Sequence, residues 1–456
     1  MFAKTANYTT TLNGMPAFKT TNSACLDLFY NFGAMRGQNI LPLFRSAYKE
    51  NPYLALRILL WGRDARGGAG ERQLFRSVLS NLSDLEVTVL LPKIPEVGRW
   101  DDLLSVPVNT SARTIALEMI KNVIEEGNGL AAKWMPRKGA VAIELRKAWK
   151  MTAKQYRRFL VTATNVVETQ MCSGNWNEIE FSKVPSVAMS KYNAAFQRHN
   201  PVGFQKYKDA LTAGTTKVNA NAVFPYQILE IEDAQLRTAM WDAQPNYMVA
   251  NSAVLPVVDR SGSMTMAKLQ GSKLSAEDVA VSLGLYCATK NLGPFKDLVV
   301  SFADKPEIQL LQGTLNDKLY QIKHDLDVGY STNLMATLDL ILTASKAMGV
   351  SREDMPKVLL FLSDMQFNDA LSKEWNESLL GTIRSKYTAA GYDMPAIVFW
   401  NLVSYGNVPA LGTEAGVMMV SGFSPSILKA VLSANFDRIT PERLMLDVVL
   451  SPRYDF

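Results

Sequence analysis

Five short, almost unbroken apolar runs constrain this chain more than anything else in it: VLPVV (254–258), LVVSF (298–302), VLLFL (358–362), AIVFWN (396–401) and GVMMV (416–420). A strand with one wet face alternates apolar and polar residues, so a run that is apolar throughout belongs to a strand covered on both faces. Between the runs lie stretches with helical periodicity, around 273–291, 333–348 and 372–390. Helices of that length are the crossovers that parallel strands need. The pattern predicts a doubly wound, Rossmann-like α/β unit over residues 246–456, with PEIQLL (306–311) as an edge strand. Pro256 is awkward in that scheme, because a central strand uses every backbone N–H in its ladders.

The first run ends in a carboxylate. VLPVVDRSGSM puts Asp259, Ser261 and Ser263 on the loop that leaves the strand's carboxyl end, where open α/β sheets bind their ligands. The D-x-S-x-S spacing on a curling loop aims one carboxylate and two hydroxyls at a common point. Oxygen donors with little formal charge suit a hard divalent cation, Mg²⁺ first, with Mn²⁺ or Ca²⁺ able to use the same oxygens. Later segments offer further ligands: Thr332 in GYSTNL, just before a helix, and Asp364 at the end of the apolar run in VLLFLSD. Ser331 competes with Thr332 for the third hydroxyl position, its other role being a helix cap.

The set Asp259, Ser261, Ser263, Thr332 and Asp364 resembles the metal-ion-dependent adhesion site of the von Willebrand factor A family. The resemblance implies direct ligation by Ser261, Ser263 and Thr332, with Asp259 and Asp364 acting mainly through bound waters. It also implies a partner protein whose acidic side chain completes the shell. Catalysis is not favoured, because the chain has no GxSxG elbow and only two histidines, His199 and His324, neither beside the motif in sequence. A cation held mostly by neutral hydroxyls grips an acid better than it activates water.

The first 250 residues read differently. Helical periodicity, as in NPYLALRILLWGR and ERQLFRSVLSNL, is punctuated by turns, which predicts an all-helical domain over residues 1–245, built like HEAT repeats or irregularly. Residues 1–250 carry 30 Lys and Arg against 21 Asp and Glu, whereas 251–456 carry 18 against 22. A basic half suits a polyanion; a mildly acidic half suits a cation or a protein. The densest charge lies in 133–158, where Lys133, Arg137, Lys138, Arg146, Lys147, Lys150, Lys154, Arg157 and Arg158 face the single acid Glu144. On one helix, Arg146, Lys150, Lys154 and Arg158 would form an i+4 stripe fit for a phosphate backbone, with Leu145, Trp149, Tyr156 and Leu160 turned inward. The alternative is a solvated surface helix. RDARGGAGER (63–72) sets Gly67, Gly68 and Gly70 beside Arg63, Arg66 and Arg72, either as a backbone nest for phosphate or as a turn between helices. It lacks the GK[ST] ending of a nucleotide-binding P-loop.

Three well-separated cysteines, Cys25, Cys172 and Cys287, give no disulfide or zinc framework, so each is expected to be buried packing in a reducing, cytoplasmic setting. No apolar stretch approaches the roughly 18 residues of a membrane span, and the N-terminus lacks the apolar core of a signal peptide. A basic helical half followed by a von Willebrand A-like half resembles the Ro autoantigen and its bacterial relatives, built from a TROVE ring of helical repeats. RDARGGAGER, GRWDDLL, KWMPRKG, WNEIEFSKVPSVAM and LPVVDRSGSM look like an uncharacterised viral and bacterial family with the same layout. The resemblance implies a non-enzymatic protein that binds structured or misfolded noncoding RNA on a ring's basic outer surface, with single-stranded ends threading a central hole, and a metal site that serves a partner or closes the ring. The competing expectation is a metal-dependent protein-interaction module that binds no RNA.

Overall fold

The computed structural model describes residues 7–248, 253–269, 274–328, 332–368, 379–434 and 436–456. An antiparallel hairpin, β1 (Tyr8–Thr10) and β2 (Pro16–Phe18), opens the chain, and helices follow from Ala24–Phe32 to Ala234–Asp242. A six-stranded sheet then forms from β3 (Val254–Val258), β4 (Leu298–Ser301), β5 (Ile308–Leu310), β6 (Val358–Ser363), β7 (Ala396–Asn401) and β8 (Val417–Ser421). The strand order is β5-β4-β3-β6-β7-β8, parallel throughout except for the antiparallel edge strand β5. The five apolar runs are therefore the five parallel strands, and the weaker run is the edge.

The sheet's two faces define the two hydrophobic cores. Leu255, Val257, Phe361 and Phe399 point into one, which also holds Phe29, Phe32 and Trp61 from the first helices. Val258, Leu362 and Trp400 point into the other, with Phe196, Phe204 and the helix Ala276–Lys290. Side chains alternate across a strand, so runs that are apolar at every position feed both cores. Buried apolar residues between Met15 and Leu160 join the first core, and those between Val167 and Met248 join the second.

Pro256 fits for a local reason. Residues along a parallel strand alternate in the neighbour they bond to, and Asp259 N donates to Leu362 O of β6 while Val258 O accepts from Phe302 N beside β4. Even-numbered positions thus face β4, but β4 is in register with β3 only at Val257 and Val258. Below that level the β4 side is open to a side chain, and Asn291 Nδ2 donates to Val254 O at 2.8 Å. Pro256 lies one residue below the last β3–β4 pair, so its missing N–H ends that ladder rather than interrupting it.

Two expectations need correction. The first half is not all-helical, since the hairpin β1–β2 lies in it and reaches across to the second half: Phe18 N donates to Val408 O (3.0 Å) and Val408 N to Phe18 O (2.9 Å). TTLNGMPAF carries the reason, an Asn-Gly turn between β-compatible residues, with Gly14 at φ +93°. Nor are all three cysteines packing residues; Cys25 and Cys287 are buried, but Cys172 is exposed. No helix among the described residues is long and apolar enough to cross a membrane.

Candidate cation site

The strand order reverses between β3, whose neighbour next in sequence is β4, and β6 on its other side. Asp259 leaves the end of β3 and Asp364 the end of β6, so the switch point brings together two carboxylates 105 positions apart in sequence. Asp259 is fully buried and Asp364 nearly so, at 2% exposure. Asp259 Oδ1 accepts from the Ser261 amide at 2.9 Å, and Oδ2 accepts from Ser363 Oγ at 2.5 Å. The Ser261 and Ser263 hydroxyls lie 3.1 Å apart on the same loop. Thr332 is buried, and its Oγ1 donates to Gln366 O at 3.2 Å while its carbonyl accepts from Asn368 N at 3.0 Å. All five residues expected to share one site thus border the same pair of loops, and Ser331 lies outside the described residues.

The electrostatics of this cluster are unbalanced. Burial, followed by the neighbouring charge of Asp364, pushes the Asp259 carboxyl up to about 7, and burial likewise raises Asp364. Arg260, the nearest cation in sequence, turns away to Glu277 (3.0 Å) and to the carbonyls of Leu326 and Lys323. Asp364 Oδ1 accepts from Gln366 N at 3.1 Å, but Asp364 Oδ2 is buried with no hydrogen-bond partner. An orphaned carboxylate oxygen beside a second buried carboxylate costs several kcal/mol unless a cation meets it. The donor set, two carboxylates and several hydroxyls, fits a hard divalent ion. Among the described residues no group of three or more His, Cys, Asp and Glu gathers.

Sequence reasoning missed the residues that hold the site in place. Ser363 bridges Asp259 Oδ2 and the Met365 amide, and Met365 takes φ +62°, a left-handed conformation that a non-glycine residue adopts only when its surroundings impose it. Ser363 was legible as the residue before Asp364 in LSD. Gln366 was not: its side chain contacts Asn407 (3.0 Å) and accepts from the Leu12 amide (2.8 Å), across separations no local pattern reveals. The turn of the β1–β2 hairpin closes the same loop from above, with Thr11 Oγ1 donating to Phe367 O and Asn13 Nδ2 to Gln366 O, both at 2.6 Å.

The basic segment is arranged differently from the expected stripe. A helix ends at Ala148 and another begins at Ala153, with Lys150 at φ +54° between them. Arg146, Lys150, Lys154 and Arg158 therefore do not share one helix face. Met151 N bonds back to Arg146 O (2.8 Å) and Thr152 and Gln155 form a capping box, so one helix is closed and the next opened within a few residues. Arg137, Lys138, Lys147, Lys150, Lys154, Arg157 and Arg158 remain exposed, Arg146 is half-buried, and Lys133 is paired with Glu168 at 2.5 Å. Leu145, Trp149, Tyr156 and Leu160 do turn inward. Trp149 Nε1 donates to Leu117 O and Tyr156 OH to Pro136 O, so neither ring is open to a base.

The glycine-rich loop after Arg63 is a turn rather than a nest. Its amides serve the protein itself: Gly68 N donates to Asp64 O, Ala69 N to Trp61 O, Glu71 N to Gly62 O and Arg66 N to Asp64 Oδ1. Arg63 is buried against Asp102 at 2.7 Å.

Two family models match the chain. One, a domain of unknown function (DUF2828), covers residues 11–85 and 112–267; the other, also a domain of unknown function (DUF7788), covers residues 253–445. An uncharacterized protein of Acanthamoeba polyphaga mimivirus is 27% identical over 511 residues, spanning 97% of this chain and 87% of its own length. The crystal structure of the Ro (RSR) protein of Deinococcus radiodurans aligns over 90% of each chain at 15% identity, with a TM-score of 0.35.

Proposed function

This chain belongs to the DUF2828 family, and we propose that it is a non-enzymatic RNA-binding protein with a divalent-cation site for an acidic partner group. The observation that carries the cation is the buried, partnerless Asp364 Oδ2 facing a second buried carboxylate at a sheet switch point. Asp259, Ser261, Ser263, Thr332 and Asp364 would hold Mg²⁺, with Mn²⁺ or Ca²⁺ as substitutes. When bound, the ion supplies a concentrated positive charge that grips a carboxylate. The chain's own residues do the positioning: Ser363 and the Ser261 amide fix the Asp259 carboxylate, and Gln366 fixes the Asp364 loop.

RNA is supported by the charge of the first half and by the seven exposed cations between Arg137 and Arg158. Such a surface releases counterions from a phosphate backbone and binds with steep salt dependence. The test is a salt titration against a structured RNA with a single-stranded tail, beside a variant with Lys147, Lys150, Lys154 and Arg158 changed to Gln. Binding that falls steeply with salt and weakens in the variant is the expected result; no binding by the wild type at low salt would remove RNA from the reading.

One observation favours a second reading, a metal-dependent protein-interaction module. The basic segment is broken in two and its buried aromatics offer no stacking surface. In that case a protein partner is captured in Mg²⁺, released by EDTA, and indifferent to neutralisation of the basic surface.

A further inference from the structure

Away from the exposed segment 137–158, two cavities adjoin on the helical half. One, of about 800 Å³, is walled by Leu130, Trp134, Val187 and Tyr192 among others; the next, of about 600 Å³, is walled by Arg36, Arg63, Arg66 and Arg72. Arg99 and Val187 line both, so they form one groove with an aromatic end and an arginine end. Each part is in the size range of small-ligand sites, about 300–1,000 Å³.

At the aromatic end Trp134 is 43% exposed, which is unusual for so large an apolar ring. The Arg99 guanidinium, held by Asp101 at 2.8 and 3.0 Å, sits 3.5 Å from its ring centre at the junction of the two cavities, a cation on the indole face. At the other end the arginines outnumber the free acids. Glu71 is taken by Arg36 at 2.6 Å and Glu96 by Lys93 at 2.9 Å, while Arg63 is spent on buried Asp102. Arg66 and Arg72 are exposed and have no carboxylate partner among the described residues, and Arg72 bears on Arg99 as a like charge. The Arg66, Gly68, Ala69 and Glu71 amides are already bonded within the protein, so the exposed guanidinium groups are the charged anion donors there.

We propose that this groove holds a single strand of RNA, with a base stacked at Trp134 and Arg99 and the adjoining phosphates met by Arg66 and Arg72. A platform for a base beside free guanidinium groups for phosphates is the pairing by which single strands are held. A duplex keeps its bases stacked inside and cannot use Trp134, which makes the groove selective for unpaired RNA. This inference rests on the RNA reading above and gives it a second site, distinct from the exposed cations.

The test uses the full chain, a labelled single-stranded oligouridine of about 12 nucleotides and an RNA duplex of about 16 base pairs. Variants are Arg66→Gln with Arg72→Gln, Trp134→Ala, and Trp134→Phe as the conservative ring. Arg66 and Arg72 make no ion pair among the described residues, so their replacement leaves the melting temperature in place. The expected result is a loss of single-strand affinity of about tenfold or more in the first two variants, partial retention in Trp134→Phe, and unchanged duplex binding. Single-strand binding equal to wild type in all variants, or an equal loss for duplex and single strand, overturns the groove and leaves RNA on the exposed cations. Failure of the wild type to bind either RNA at low salt overturns the RNA reading itself.

Discussion

Asp364 decides the chemistry of the candidate site. One of its oxygens accepts from the Gln366 amide, and the other is buried without a donor beside Asp259, whose own carboxyl is pushed up to about 7. Replacing Asp364 by Asn removes one of two facing acids and should leave the EDTA-treated protein as stable as wild type or more so. The same change should abolish the rise in melting temperature that Mg²⁺ gives the wild type. At a hundredfold excess over Kd that rise corresponds to about 2.7 kcal/mol. Calorimetric scans with Mg²⁺ and with EDTA measure both effects, and an unaltered Mg²⁺ response in Asp364→Asn would falsify the site. Gln366→Ala tests the supporting layer: it leaves every proposed ligand in place but frees the Asp364 loop, so Mg²⁺ affinity by titration calorimetry should fall about 10-fold or more. Asp259, Ser261 and Ser263 were legible because they lie within one loop, and Asp364 because it ends an apolar run. Gln366 was not, because its partners Leu12 and Asn407 come from distant segments.

The helix Ala276–Lys290 supports the same site from one side. Its N-terminus is closed by a Ser275–Asp278 capping box, and it crosses β3 at Gly284. A Cβ at Gly284 would stand 2.4 Å from Val258 Cγ2, one residue before Asp259. Gly284→Ala must therefore lift the helix or displace the strand end, at a cost of about 1–3 kcal/mol in denaturant unfolding. A neutral result would show that the helix has room to move. The basic segment illustrates the opposite limit of local pattern. Charges at i+4 spacing suggested one helix, yet TAKQ after MTAKQ's methionine is itself a helix-start signature, and Lys150 turns left-handed between two helices. The capping box competed with the periodicity and won: the Thr152 and Gln155 side chains accept from the amides that open the second helix, while Met151 N closes the first on Arg146 O.

The two halves of the chain are tied at both ends of the sequence. The β1–β2 hairpin lies over the Asp364 loop, and the C-terminal residues close on the first helices: Arg453 and Tyr454 both reach buried Asp64, and Arg57 donates to Val449 O at 2.7 Å. Gly33 makes a further tie, its N–H donating to Ser421 Oγ at 2.9 Å where a Cβ would strike the Gly422 backbone. Removing residues 452–456 takes away both side-chain partners of Asp64 and leaves it the Arg66 amide. Asp64 is buried but Arg453 is 44% exposed, so losing the pair costs less than the about 3–5 kcal/mol of a fully buried one, and the truncated chain should unfold at lower denaturant. Coincident loss of helix and Trp fluorescence in that experiment is expected from cores that run through both halves; separate transitions would show that the halves fold independently.

Strand identity, edge strand, the crossover helices Ala276–Lys290, Leu334–Ala347 and Leu379–Ala389 and the D-x-S-x-S loop were all determined by the sequence, because each is written in residues a few positions apart; the start of the helix expected over 372–390 lies outside the described residues. Periodicity and capping act over one or two turns, and burial on both faces marks a parallel strand wherever it occurs. Tertiary structure alone decided that Asp259 and Asp364 meet, that the N-terminal turn closes their loop, and that Trp134 and Arg99 share a groove with Arg66 and Arg72. Those contacts depend on strand order and on how the helices straddle the sheet. Packing of whole elements sets both, and no short window of sequence records it.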